Sequence, residues 1–137
     1  MSPSLTAFKM VRTLWLVETA AMVVLLLGFP ALIRRPATVE GPTELVARIF
    51  YVAGLVNLAL AWWMKNRTMA AAREHPPALA GGSIVAVTLA TTPGILGAVL
   101  YLGFGYSDGQ RILGLASLIG LWLLRPRADE WEEVLTR

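Results

Sequence analysis

Four long apolar runs constrain this chain more than any other feature of its sequence. They cover residues 14–33, 49–64, 78–106 and 112–124, and Glu18 is the one charged residue within them. A helix that crosses a membrane needs roughly 20 apolar residues. Each run is therefore a candidate span, and we expect an all-α integral membrane protein.

The composition supports the same class. Hydrophobic residues make up 56% of the chain and charged residues only 15%. A soluble domain has about a quarter of its residues charged, so these charges would cover a water-exposed surface poorly. Cysteine is absent, which excludes a disulfide scaffold and a cysteine metal site. The composition thus argues against a soluble enzyme.

We expect a four-helix bundle with up-down-up-down topology, formed by one transmembrane domain over residues 1–137. The predicted spans are about 11–33, 45–65, 79–105 and 108–125. The fourth run is short for a span, so three spans with a re-entrant segment remain an alternative. A cleaved signal peptide is an alternative for the first run. Pro93 predicts a kink in the third helix, because proline removes a backbone hydrogen bond.

The segments outside the runs are more polar, both at the two ends of the chain and before the fourth run. The first ten residues look like a short polar arm, and residues 106–110 look like a tight hairpin before the fourth helix. In the tail, 128–137, an apolar stripe at helical spacing predicts a short amphipathic helix on the cytoplasmic surface. The stripe consists of Trp131, Val134 and Leu135. A solvated terminal helix and a docking segment for a partner are both open.

Basic and aromatic residues predict the orientation. The side that would hold both termini and the second loop has eight Lys and Arg residues, and the other side has four. Cytoplasmic loops are rich in Lys and Arg, so both termini should be cytoplasmic. All five Trp residues would lie on that side and all three Tyr residues on the other. The expected location is the inner (plasma) membrane of a bacterium.

A few polar residues lie within the predicted spans, where they are costly. Glu18, Asn57, Thr88 and Ser117 come from four different helices at similar depths. We therefore predict one internal polar layer in which Glu18 hydrogen-bonds to Asn57. Either these residues only hold helices together, or they form a ligand- or proton-binding site. Thr91 and Thr92, beside Pro93, are further candidates that could line a cavity.

Stripes of small residues in the second, third and fourth helices predict close helix packing. No metal site is expected, because the single His75 cannot form a bis-histidine haem site and cysteine is absent. No catalytic residues are predicted either. We find no dinucleotide or phosphate-binding motif and expect no cofactor. The basic linker after the second run follows from membrane topology, so no nucleic-acid partner is expected.

Two families resemble this layout. The span count and loop lengths are similar to those of small bacterial membrane proteins such as the DoxX-like group. The place of Glu18 in the first span resembles that of the essential glutamate of small multidrug-resistance transporters, which implies proton-coupled transport. The loops here are longer and the residues around Glu18 differ. No residue role is carried over from either family.

Three functions remain open at this stage. The first is a non-enzymatic accessory, interaction or structural protein, with membrane lipid and either a protein partner or a second copy of the chain as its contacts. The second is a small transporter or hydrophobic-ligand carrier in which Glu18 binds a proton or solute. The third is a lipid-modifying enzyme, which a single carboxylate supports poorly.

Overall fold

The computed structural model describes residues 3–32, 43–72, 74–75, 78–105 and 107–136. Within these ranges it contains five α-helices and no strands, as the predicted all-α class requires. The helices are α1 (Pro3–Leu32), α2 (Thr43–Ala71), α3 (Ala78–Phe104), α4 (Ser107–Leu123) and α5 (Ala128–Thr136).

Three of these helices are long and apolar enough to cross a membrane. The qualifying segments are Leu5–Gly28, Glu44–Ala71 and Ala78–Phe104. The predicted membrane class is supported by these three segments. Helix α4 has 17 residues, or about 26 Å at the α-helical rise. It is thus shorter than the roughly 30 Å hydrocarbon core of a bilayer.

The helix ends differ from the predicted boundaries in three places. Helix α1 begins at Pro3, so the predicted polar arm is wrong; proline is well suited to the first turn of a helix. Helix α2 continues to Ala71, beyond the predicted end of the second span near residue 65. Helix α4 already begins at Ser107, so the predicted hairpin at 106–110 is too long. The predicted first loop and Tyr106 lie outside the described residues.

Two glycines explain how α3 and α4 come together. Gly105 has a φ of 65°, a left-handed conformation that favours glycine, and its N–H donates to the Tyr101 carbonyl at 2.9 Å. It thereby ends α3. A Cβ on Gly97 would lie 3.1 Å from backbone atoms of Gln110 and from the Leu113 side chain. The two helices therefore pack with backbone close to backbone.

Two contacts between residues far apart in the chain lie near different ends of the helices. Near one end, the ammonium of Lys65 on α2 lies 3.7 Å from the Glu130 carboxylate on α5. Near the other end, the Gln110 amide on α4 donates to the Leu25 carbonyl on α1. We call the end at which Lys65 approaches Glu130 the α5 end. Trp62 and Trp122 line a cavity with Glu130 there, whereas Tyr51 packs near the opposite end.

Helix α5 is docked on the chain's own helices. Trp131 and Val134 are buried against α1, α2 and α3 in one apolar cluster, and the Trp131 ring meets the Phe8 ring edge-on at 5.3 Å. The side chain of Leu135, the third member of the predicted stripe, lies outside the described residues. The predicted short amphipathic helix is present, and its apolar stripe packs against this chain's own helices, which neither open alternative included.

The first turn of α5 carries a short ion pair. The Arg127 guanidinium donates to the Asp129 carboxylate at 2.7 Å and thereby lowers the pKa of Asp129. Because the folded-state pKa is lowered, the pair stabilises the fold above the ordinary aspartate pKa. This contribution is lost as the pH falls through the lowered value. Both side chains are largely exposed, so the effect is small.

We expect Trp131→Ala to release α5. The substitution removes the largest buried side chain of this helix, at a cost of about 3 kcal/mol, which raises the open fraction about a hundredfold. Limited trypsin digestion in detergent measures this, because cleavage after Arg127 requires the segment to open. Glu133→Ala, on the exposed face of α5, is the control. Equal cleavage rates in the two variants would contradict the docking.

Candidate functional site

Glu18 lies on α1, one turn after Trp15 and one turn before Met22, and it is half-buried. Within the described parts of the chain, no hydrogen bond or ion pair joins its carboxylate to another residue. A carboxylate in apolar surroundings is costly unless it is paired. Glu18 therefore remains the least accommodated polar group of the predicted site.

Asn57 does not bind Glu18 as predicted. Its side-chain amide donates to the Ala53 carbonyl of its own helix at 2.8 Å. This acceptor is one turn away and is available whatever the neighbouring helices do. The prediction failed because it assumed that a polar side chain in a membrane helix must find its partner on another helix.

The three threonines of α3 behave in the same way. Thr88 is exposed and donates to the Ile84 carbonyl at 2.9 Å. Thr91 is buried, and its hydroxyl donates to the Thr88 carbonyl at 2.7 Å. The Thr92 hydroxyl points to the same carbonyl at 3.4 Å. The predicted single internal layer is wrong for Thr88, because bonding to its own helix lets this hydroxyl face outward.

Ser117 is the predicted site residue with a clear interhelical role. Its side chain is fully buried, and its Oγ accepts a hydrogen bond from the Gly94 N–H of α3 at 2.7 Å. Gly94 directly follows Pro93, which lies inside α3 and has no N–H to donate. Ser117 thus links α4 to the backbone of α3, at the residue that follows Pro93. The helix continues through Pro93, and the kink stays a prediction.

Two further polar residues link helices and were not among the predicted site residues. The Trp15 indole N–H donates to the Leu121 carbonyl of α4 at 2.6 Å. The Gln110 amide, on a residue only 1% exposed, donates to the Leu25 carbonyl at 3.1 Å. Its Oε1 is buried and has no partner among the described residues. The Lys65 ammonium of α2 also donates to the Leu123 carbonyl of α4, at 3.3 Å. These three bonds and that of Ser117 all involve α4.

A periodic signal could have identified Gln110. The buried face of α4 includes Gln110, Leu113, Ser117 and Leu121, followed by Leu124, and these positions recur at helical spacing. Gln110 lies two turns before Ser117 on this face. The sequence prediction placed Gln110 both in the hairpin and at the start of the predicted span 108–125, and did not single it out as a polar residue on the buried face.

The polar contacts lie within closely packed helices. The small residue Gly94 lets α3 approach α1 and α4 closely. A Cβ on Gly94 would contact the Met22 sulfur and lie 3.1 Å from the Ser117 Oγ. Within the described residues no group of three His, Cys, Asp or Glu side chains could hold a metal ion. The ligand- or proton-binding roles of the six candidate residues stay predictions.

Comparisons with protein-family models, with curated proteins and with solved structures find no match to this chain.

We expect Ser117→Ala to lower the free energy of unfolding by about 1 kcal/mol, because the Gly94 N–H loses its acceptor on α4. Chemical unfolding in detergent, followed by circular dichroism, measures the change. Thr88→Val is the matched control, since that hydroxyl is exposed and bonds within its own helix. Its effect should stay within about 0.5 kcal/mol. If both variants lose the same stability, the interhelical role of Ser117 is refuted.

Proposed function

We propose that this chain is a four-span integral membrane protein of non-enzymatic type, which acts as an accessory or structural helix bundle. One observation carries the proposal. The interhelical polar bonds of Trp15, Gln110 and Ser117 all join a side chain to a backbone group and all hold α4 against α1 or α3. Polar groups used in this way stabilise helix association in a membrane.

The exposed face of α4 supports its role as the fourth span. Its large apolar side chains recur at helical spacing and are half-exposed or more; they are Ile112, Leu115, Ile119 and Trp122. Helices α1, α2 and α3 expose similar side chains. An apolar surface of this extent is unfavourable in water and suited to lipid. Arg111 and Arg125, near the two ends of α4, have side chains long enough to reach the interfaces.

The orientation belongs to the same proposal. The α5 end holds the Trp residues and most of the basic residues of the described chain, a combination typical of the cytoplasmic interface. Both termini are then cytoplasmic, in the plasma membrane of a bacterium. Helix α4 must cross the bilayer for this arrangement to hold. A re-entrant α4 would leave its two ends on the same side.

Single cysteines test the fourth span, because the natural chain has none. We expect Glu74→Cys and Glu133→Cys to react with an impermeant maleimide only from the cytoplasmic side, and Asp108→Cys only from the outside. All three positions are acidic and exposed, so the variants are matched in charge and accessibility. Labelling of Asp108→Cys and Glu133→Cys from the same side would refute a spanning α4.

Glu18 favours a second candidate, the transporter or ligand carrier. It is half-buried in a helix that is long enough to span, and it has no hydrogen-bond partner among the described residues. Such a group could bind a proton or cationic solute. Three cavities of the structure are lined by other residues, and the interhelical bonds of Trp15, Gln110 and Ser117 carry the structural role. The structural role is therefore the main proposal.

Glu18→Gln separates the two candidates. We expect it to retain or raise thermal stability in detergent, because a carboxylate costs about 2.5–3.5 kcal/mol near the centre of a membrane helix. Equilibrium dialysis with the cation tetraphenylphosphonium, at acidic and at alkaline pH, measures ligand binding. We expect the unsubstituted chain and Glu18→Gln to give the same result at both pH values. Glu44→Gln, at an exposed position, is the control. Proton release on binding that only Glu18→Gln abolishes would favour the transporter instead.

A further inference from the structure

Three basic side chains lie over tryptophan rings near the α5 end. The Arg125 guanidinium is 4.5 Å from the centre of the Trp122 ring, and the Lys65 ammonium is 5.5 Å from that of Trp62. Arg67 lies over Trp63 at 5.0 Å. Cation–π contacts of this kind hold a flexible basic side chain in place, so these cations are positioned before any ligand arrives.

Two of these pairs line a single cavity between α2 and the end of α4. The cavity has a volume of about 210 Å³, and its walls include Trp62, Lys65, Trp122, Leu123, Arg125, Arg127 and Glu130. Three of the lining residues are basic and one is acidic. The cavity therefore favours an anion, and arginine in particular suits phosphate because its N–H groups can bind two oxygens at once.

The acidic neighbours leave part of this charge unpaired. Glu130 lies 3.7 Å from the Lys65 ammonium and 3.8 Å from the Arg127 guanidinium, and Arg127 is also paired with Asp129. Arg125 has no carboxylate within ion-pair distance in the described part of the chain. Arg125 is thus the cation most free to bind an added anion.

An apolar groove lies beside this cavity. It has a volume of about 120 Å³ and is lined by Leu58, Ala61, Trp62, Ile119, Gly120, Leu123 and Leu124. Trp62 and Leu123 line both spaces, so the basic cavity and the groove adjoin each other. At Gly120 the helix α4 packs closely on α2, because a Cβ there would lie 2.6 Å from the Leu58 side chain. An anion site beside an apolar groove matches a molecule with a charged head and an acyl chain.

We propose that the cavity and groove together bind one anionic phospholipid. The phosphate lies against Arg125 and Lys65, with Arg127 at the rim, and one acyl chain follows the groove between α2 and α4. The proposal rests on the four-span arrangement, in which the α5 end meets the membrane surface. Basic pockets between membrane helices on the cytoplasmic side are suited to such headgroups.

Native mass spectrometry of the delipidated full chain in detergent tests the site. Phosphatidylglycerol and phosphatidylcholine with the same acyl chains are added in equal amounts. We expect one phosphatidylglycerol to be retained in preference to phosphatidylcholine. Arg125→Gln should lower the affinity for phosphatidylglycerol about fivefold, the effect of one basic residue near a membrane surface. Phosphatidylcholine binding should not change.

Arg111→Gln is the matched control, because it removes the same charge from an exposed position near the other end of α4. It should leave the preference intact; an equal loss would mean that net charge alone attracts the lipid and would overturn the proposal. A soluble competitor, sn-glycerol 3-phosphate, should not displace the lipid. Displacement would identify a free-phosphate site instead.

The absence of any preference in the unsubstituted chain would also overturn the proposal. The cysteine-labelling experiment tests the four-span arrangement, and its result does not depend on which lipid the protein binds. A chain that labels as expected but shows no preference for phosphatidylglycerol refutes the lipid site alone.

Discussion

A helix in lipid has no water to satisfy its backbone, so its polar groups must find partners within the protein. Pro93 lies inside α3 and has no N–H to donate to the Leu89 carbonyl. Directly after this proline, the Gly94 N–H donates to the Ser117 Oγ of α4, and the small residues around this contact let the helices approach closely. This bond is one of several between a side chain and a backbone group that hold α4 against the longer helices.

The same constraint explains why the other polar residues are spread out. A threonine or asparagine in a helix can bond to the carbonyl one turn back, and Asn57 and Thr88 do so. Trp15 and Gln110 reach across to backbone carbonyls on other helices. Of the six candidate site residues, only Glu18, which has no donor to offer when ionised, lacks a hydrogen bond among the described residues. The polar groups therefore work as separate connections between helices.

Ion pairs contribute to the packing at the α5 end. Apolar contacts through Trp131 and Val134 hold α5 in place, while its acidic side chains approach Lys65 and Arg127. This docking brings Glu130 to the edge of the basic cavity between α2 and α4. The C-terminal helix therefore limits how much positive charge that cavity presents. Packing and electrostatics are coupled at this end of the molecule.

Periodicity and hydropathy in the sequence were enough to determine the helical class, the apolar segments and the apolar stripe of α5, because these depend on local patterns. They also singled out Ser117 and the small residues. They could not determine the hydrogen bonding of Glu18, Asn57 and Thr88, since a pattern gives depth and face but not the nearest acceptor. The acceptor of the Gln110 amide and the adjoining cavity and groove depend on how α4 packs against its neighbours. Tertiary structure decided these because each depends on distances between helices far apart in the chain.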